Sequence, residues 1–172
     1  MPEASSPATM KREGWNHALW KATRSSREID SSEAFVETMV ANGVTAVRFM
    51  IGTPEQLALR EAVRTGTIIG PQLWIASPQL TGRASENAIV TTTDAEARGA
   101  VRRVRSEGYD FVKLTLFLTP PVWESIIDEA ARENIAVVGH VEPDVGVVRA
   151  VAAGQQLEHL DAFLEAALAD SA

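Results

Sequence analysis

The sequence predicts an α/β fold: an incomplete TIM-type (β/α) barrel with about five to six βα units of a parallel sheet. Three observations carry this reading. From Val44 onward, short apolar strands alternate with capped amphipathic helices. The links between them are short, which favours right-handed βαβ units. The segment Ile135 to Val141 is almost wholly apolar, as a strand should be when helices cover a parallel sheet. A complete eight-stranded barrel needs about 250 residues, and this chain has 172, which leaves it about two units short.

Taken in order, Ser32 to Val40 carries Phe35, Val36, Met39 and Val40 as an apolar helical stripe, and Trp15 to Trp20 reads as a strand in front of it. Asn42-Gly43 is a helix-stop signal, and Val44 to Phe49 follows as a β-branched strand. Thr53-Pro54-Glu55 opens a helix, because proline suits the first helical position. Leu57, Ala58, Ala62 and Val63 form its stripe and Gly66 ends it. Gln72 to Ser77 is the next strand, followed by a polar loop through Gly82 and Asn87. Thr93-Asp94-Ala95-Glu96 is a capping box that starts a helix running to Glu107, stopped by Gly108.

Phe111 to Phe117 is a strand, and Thr119-Pro120-Pro121 begins a helix with Val122, Ile126, Ile127 and Ala130 on one face. After the strand Ile135 to Val141 come a short helix over Pro143 to Ala153, a brief strand at Gln156 to Leu160, and a helix over Asp161 to Ala169. Trp74 and Trp123 fall in apolar patterns and read as core or helix-packing residues. The Ser-, Pro- and Ala-rich start has no apolar h-region, so residues 1–14 read as a disordered leader and 15–172 as the partial barrel domain.

Hydrophobic residues make up 45% of the chain, an ordinary globular proportion. The net charge is −7, from 16 basic and 23 acidic side chains. That balance argues against a nucleic-acid surface, which needs clustered Lys and Arg to neutralise phosphates. Arg102, Arg103 and Arg105 lie in a helical pattern beside Glu96 and Glu107, which makes them a solvated helix face. No apolar run approaches the roughly 20 residues of a membrane span. The chain has no cysteine, which excludes disulfides and a Cys nucleophile, fits a reducing compartment and leads us to expect a cytoplasmic protein.

Three residues stand out as candidates for chemistry. Lys113 is one of three lysines, and it lies inside the strand Phe111 to Phe117. Period-two alternation puts Val112, Leu114 and Leu116 on the helix-covered face and Lys113 with Thr115 on the interior face. A buried lysine is costly unless paired or neutralised. One reading is a lysine that reaches the rim and pairs with Glu142 or Asp144. The other is a ligand. His140 closes the next strand, and His159 lies near the end of the one after. Three chelation-capable residues at the C-terminal ends of consecutive strands occupy the rim where α/β barrels build their active sites. No phosphate loop, nucleophile elbow or dinucleotide fingerprint is present.

The ordered set Asn42 to Arg48, Gly70-Pro71-Gln72-Leu73, Gly108 to Lys113, Val137 to Val141 and Leu157 to Leu160 resembles the amidohydrolase superfamily, in its imidazolonepropionase-like and prolidase-like branch. The likeness covers about residues 42 to 161. It implies that Lys113 is the carbamylated lysine that bridges metals, and that His140 and His159 bind the more exposed metal. A carbamate would turn the lysine into an anionic oxygen ligand and answer its burial problem. The implied cofactor is a divalent ion, zinc first, with manganese or iron as alternatives.

Two departures follow. The family's first-strand His-x-His pair has as its nearest counterpart Asn16 to Trp20, with His17 alone, and no eighth-strand aspartate is present. Glu142 or Asp161 would have to act as base. Glu158, beside His159, reads equally as a support for the ligand or as a plain polar partner. The implied activity is hydrolysis of an amide, cyclic amide or ester bond of a small molecule by a metal-activated water. Competing with it are a non-catalytic binding or assembly module of the same fold, and a fragment whose function belonged to a full barrel, an ending within a helix at Ala172 suiting the latter. Exposed sheet edges in an open barrel predict a homo-oligomer or a partner that completes it.

Overall fold

The computed structural model describes residues 26–160 together with 163, 164 and 166. The expected leader, the strand at Trp15 to Trp20, His17, Asp161 and most of the last helix fall outside these residues. The chain divides into two compact units, one holding the described residues up to Phe49 with Thr53–Trp74, the other Met50–Gly52 and everything from Ile75 onward.

In the first unit, α1 (Ser26–Ala41) ends at Asn42-Gly43, where Gly43 takes φ 81°. The Val44 N–H then donates to the Met39 carbonyl at 2.9 Å, turning the chain into β1 (Ala46–Phe49). Helix α2 (Pro54–Arg64) starts with a reciprocal cap: Thr53 and Gln56 each satisfy the other's backbone N–H, with proline in the first turn. β2 (Gln72–Ile75) lies beside β1 in a two-stranded sheet, and the Gln72 N–H donates to Thr45 O at 2.9 Å. Val36, Phe49, Leu59, Ile68 and Leu73 form the unit's buried core. Trp74 is 39% exposed, so of the two roles expected, core or helix packing, it does not fill the first. Along β2 exposed and buried positions alternate, and Trp74 occupies an exposed one.

The second unit is built on a five-stranded sheet in the order β4-β3-β5-β6-β7. Its strands are β3 (Gln79–Thr81), β4 (Ala88–Val90), β5 (Phe111–Leu114), β6 (Ala136–Gly139) and β7 (Gln156–Leu157), and every pairing is parallel. Ala76 also bridges Phe111 in parallel. Helices α3 (Asp94–Glu107), α4 (Pro120–Arg132) and α5 (Val147–Ala152) make the connections.

The capping box before α3 forms as the sequence indicates: Thr93 Oγ1 accepts the Glu96 N–H at 3.3 Å, and Glu96 Oε2 accepts the Thr93 N–H at 3.1 Å. Gly108 closes that helix at φ 87°. Ala97, Val101 and Val104 of α3 and Val122, Trp123 and Ile126 of α4 are buried, as are Ile75, Leu80, Val112, Leu114 and Val137 of the strands. Glu129 ties α3 to α4, accepting from Arg102 Nη1 at 2.6 Å and Arg98 Nη1 at 3.3 Å.

The architecture is therefore mixed α/β with a parallel sheet, and three local readings need correction. The segment expected to be a polar loop through Gly82 and Asn87 contains β3 and β4, joined without a helix. These strands are three residues each, too short for period two to emerge from the sequence. β5 stops at Leu114 instead of reaching Phe117, because Thr81 Oγ1 captures the Leu116 carbonyl at 2.7 Å and Phe117 turns to φ 76°. Leu116, expected on the helix-covered face, is consequently exposed. The helix expected from Pro143 begins only at Val147, after a turn in which Val145 and Gly146 N–H groups both donate to Glu142 O.

Candidate functional site

Strand register assembles the candidate residues. Leu80 pairs with Leu114, and Lys113 and Leu114 pair with Val138 and Gly139. Side chains alternate between faces, so Gln79 and Thr81 of β3, Lys113 and Thr115 on β5, and Val138 with His140 on β6 share one face of the sheet. Beyond the last paired residues the ladder continues: the Thr115 N–H donates to Leu80 O at 3.0 Å, and the His140 N–H to Leu114 O at 3.2 Å.

Lys113 is 4% exposed. Its backbone N–H donates to Ser77 Oγ at 3.0 Å, and that hydroxyl donates onward to Pro78 O at 2.7 Å. Ser77 thus fixes the strand at the lysine's own position, with both hydroxyl functions used. A cleft of about 480 Å³ opens at the C-terminal ends of β3, β5 and β6. Gln79, Thr81, Arg83, Thr115, Phe117 and His140 are among its lining residues.

His140 is held through its backbone. Its carbonyl accepts Gln155 Nε2 at 2.8 Å, and Gln155 Oε1 accepts the Trp123 indole N–H at 2.8 Å. Gln155 and Trp123 are both buried, so a polar chain runs from α4 through the segment before β7 to the candidate ligand. Burial as a packing residue, the role read for Trp123, is met. Its hydrogen bond and the part played by Gln155 were not legible, since their partners lie 32 and 15 residues away in sequence. His159 follows β7 and is exposed. Its ring stacks on that of His140, with centroids 4.4 Å apart and planes 26° apart.

Glu142 is 6% exposed, and one oxygen, Oε1, accepts the Leu118 N–H at 2.6 Å. Burial pushes its carboxyl above the ordinary glutamate range; the Leu118 N–H works against that rise and the nearby Asp144 charge adds to it. Glu142 is therefore committed to holding the loop after β5. Among the described residues, no group of three or more His, Asp or Glu side chains is placed to hold a metal ion. The unmodified carboxylates and imidazoles thus stop at the pair His140 and His159, and a third donor would have to come from Lys113 on the same face. The donor set suits a metal only with the lysine counted as an oxygen ligand.

Comparison with solved structures gives the class to which the fold is similar. A bottromycin amidohydrolase superposes with a TM-score of 0.70 at 27% identity, over 77% of this chain and 30% of its own. A candidate prolidase of Bifidobacterium longum matches at 0.64 and 24%, over 82% and 37%, and a molinate hydrolase at 0.58 and 16%, over 78% and 39%. The fold is thus similar to part of that of amidohydrolase-type hydrolases, and the chain spans about a third of the length of these relatives. No family model and no curated protein matches the sequence. Among the described residues, no helix is long and apolar enough to cross a membrane.

Proposed function

We propose that the chain carries an amidohydrolase-type site, in which Lys113, His140 and His159 hold a divalent ion and an amide, cyclic amide or ester bond of a small molecule is hydrolysed. The observation that carries this reading is the stacked pair of imidazoles at the ends of adjacent parallel strands, on an amidohydrolase-like fold. Two histidines and one carboxylate-like ligand form a recognised catalytic zinc set, which makes zinc the first ion to test, with manganese and iron next. When bound, such an ion would supply Lewis acidity to polarise a carbonyl.

The chain's own residues have separate tasks in this reading. Lys113, as its carbamate, supplies the anionic donor and removes the cost of burying an ammonium group. Gln155 positions His140 by gripping its carbonyl. The cleft beside His140 receives the substrate. Residues 15–172 would act as one partial barrel in the cytoplasm, with sheet edges covered by a second copy or by a partner that completes the barrel.

Elemental analysis tests the reading, on protein incubated with bicarbonate and zinc, beside Lys113→Ala and His140→Ala. About one zinc per chain, lost in both variants, is the expected result. No zinc in the parent protein overturns the metal-dependent reading. A second reading, a non-catalytic binding or assembly module of the same fold, is favoured by the absence, among the described residues, of a three-member His, Asp and Glu group. It predicts no turnover of an amide and ester panel at saturating zinc, with small-molecule binding retained.

A further inference from the structure

We infer that Arg83, laid over the ring of Phe117 in the lining of the cleft that His140 also lines, is the specificity-determining residue for a small ligand bearing a carboxylate. The inference deepens the proposed function by naming a substrate class for the same site, and it rests on that reading for the chemistry that follows binding.

Charge is the first argument. The chain has 23 acidic against 16 basic side chains, yet among the described residues that line this cleft there is no Asp or Glu, and Arg83 is the one arginine or lysine. A concave site on an acidic protein that keeps carboxylates out and admits a guanidinium is set up for an anion. Arginine is also the side chain whose planar fork matches the two oxygens of a carboxylate.

The second argument is how firmly the pair is built. The Arg83 guanidinium carbon lies 5.5 Å from the centroid of the Phe117 ring, a cation–π distance that leaves the edge N–H groups free to point elsewhere. Two loops must meet to bring this about. Thr81 Oγ1 donates to Leu116 O at 2.7 Å and accepts the Arg83 N–H at 3.3 Å, so a single hydroxyl links both loops. A Cβ placed on Gly82 would lie 1.8 Å from Phe117 O, so only glycine permits the approach. Phe117 itself adopts φ 76°, which a bulky side chain rarely accepts. The residue nevertheless stays 61% exposed. Backbone strain that leaves an aromatic ring in solvent has no packing return, and it does present a platform for the arginine and for the apolar body of a ligand.

The test uses the full chain and a matched pair of probes, 4-phenylbutyrate and its primary amide, titrated by NMR with and without zinc. The parent protein should bind the carboxylate about tenfold or more tighter than the amide. Arg83→Met should abolish that preference while leaving amide affinity and zinc content unchanged, and Arg83→Lys should keep part of it. Equal affinity for the two probes, no binding of either, or a preference that survives in Arg83→Met overturns the inference. So does inorganic phosphate displacing the carboxylate at equal concentration, which would make the position a general oxyanion site. Failure of the metal reading registers separately, as absent zinc or turnover with the carboxylate preference intact.

Discussion

Gly139 and Gly43 both adopt positive φ, at 131° and 81°, but their surroundings differ. A Cβ on Gly139 would lie 2.2 Å from Leu114 O, inside the β5–β6 ladder and one residue before His140. A Cβ on Gly43 would meet nothing within 4 Å. Gly139→Ala should therefore combine steric overlap with backbone strain and cost about 3 kcal/mol or more, whereas Gly43→Ala carries only the conformational term of about 1 kcal/mol. Urea denaturation of the two variants checks the ranking, and equal losses would contradict it. Trp123→Phe keeps an aromatic side chain but removes the pyrrole half of a buried indole and with it the N–H that Gln155 accepts. It should cost about 1–2 kcal/mol and weaken zinc retention, because a buried amide oxygen loses its donor and the group holding His140 loosens.

At the scale of elements, α3 and α4 are joined by charge as well as by packing. Glu129 accepts from Arg102 and Arg98 of α3 and from Arg132 of its own helix. Ser125 donates to Asp94 across the same seam. The Arg102 hydrogen bond, followed by those of Arg98 and Arg132, holds the Glu129 carboxyl below its ordinary value of 4.5, with desolvation opposing the shift. A depressed native pKa means that the unfolded chain binds the proton more readily. The resulting stability is complete above pH 4.5 and is lost as pH falls through the lower native value. Glu129→Gln should accordingly melt below the parent protein at pH 7, with the gap narrowing as pH falls below 4.5. A gap of unchanged size at pH 3 would show that the carboxylate charge is not responsible.

For the whole molecule, exposed apolar side chains collect on the last elements. Val148 of α5 is 77% exposed and Leu160, beyond β7, is 81% exposed. β4 and β7 each have a single hydrogen-bonded neighbour in the described five-stranded sheet. Exposed apolar surface of this kind favours association, so analytical ultracentrifugation should find a dimer or larger species at micromolar concentration. Val148→Glu, a change on an exposed helix position, should shift it toward monomer without lowering the melting temperature of the monomer. A parent protein that sediments as a monomer across that range would count against association of this chain with itself.

What the sequence determined by itself is local in origin. The Thr93–Glu96 capping box, the proline start at Pro54, the Gly43 and Gly108 stops, the apolar strand before His140 and the unusual position of Lys113 follow from residue types a few positions apart, whose energetics need no distant partner. The parallel α/β class was legible for the same reason, through alternation of two periods along the chain. Tertiary structure alone decided the rest. The three-residue strands β3 and β4 exist only because neighbours supply their hydrogen bonds. β5 ends where Thr81, at the end of β3, takes the Leu116 carbonyl. The stack of His140 on His159, the grip of Gln155 on His140 and the placement of Arg83 over Phe117 each join residues far apart in sequence. Such contacts become favourable only after chain closure has been offset by burial elsewhere, so no local pattern encodes them.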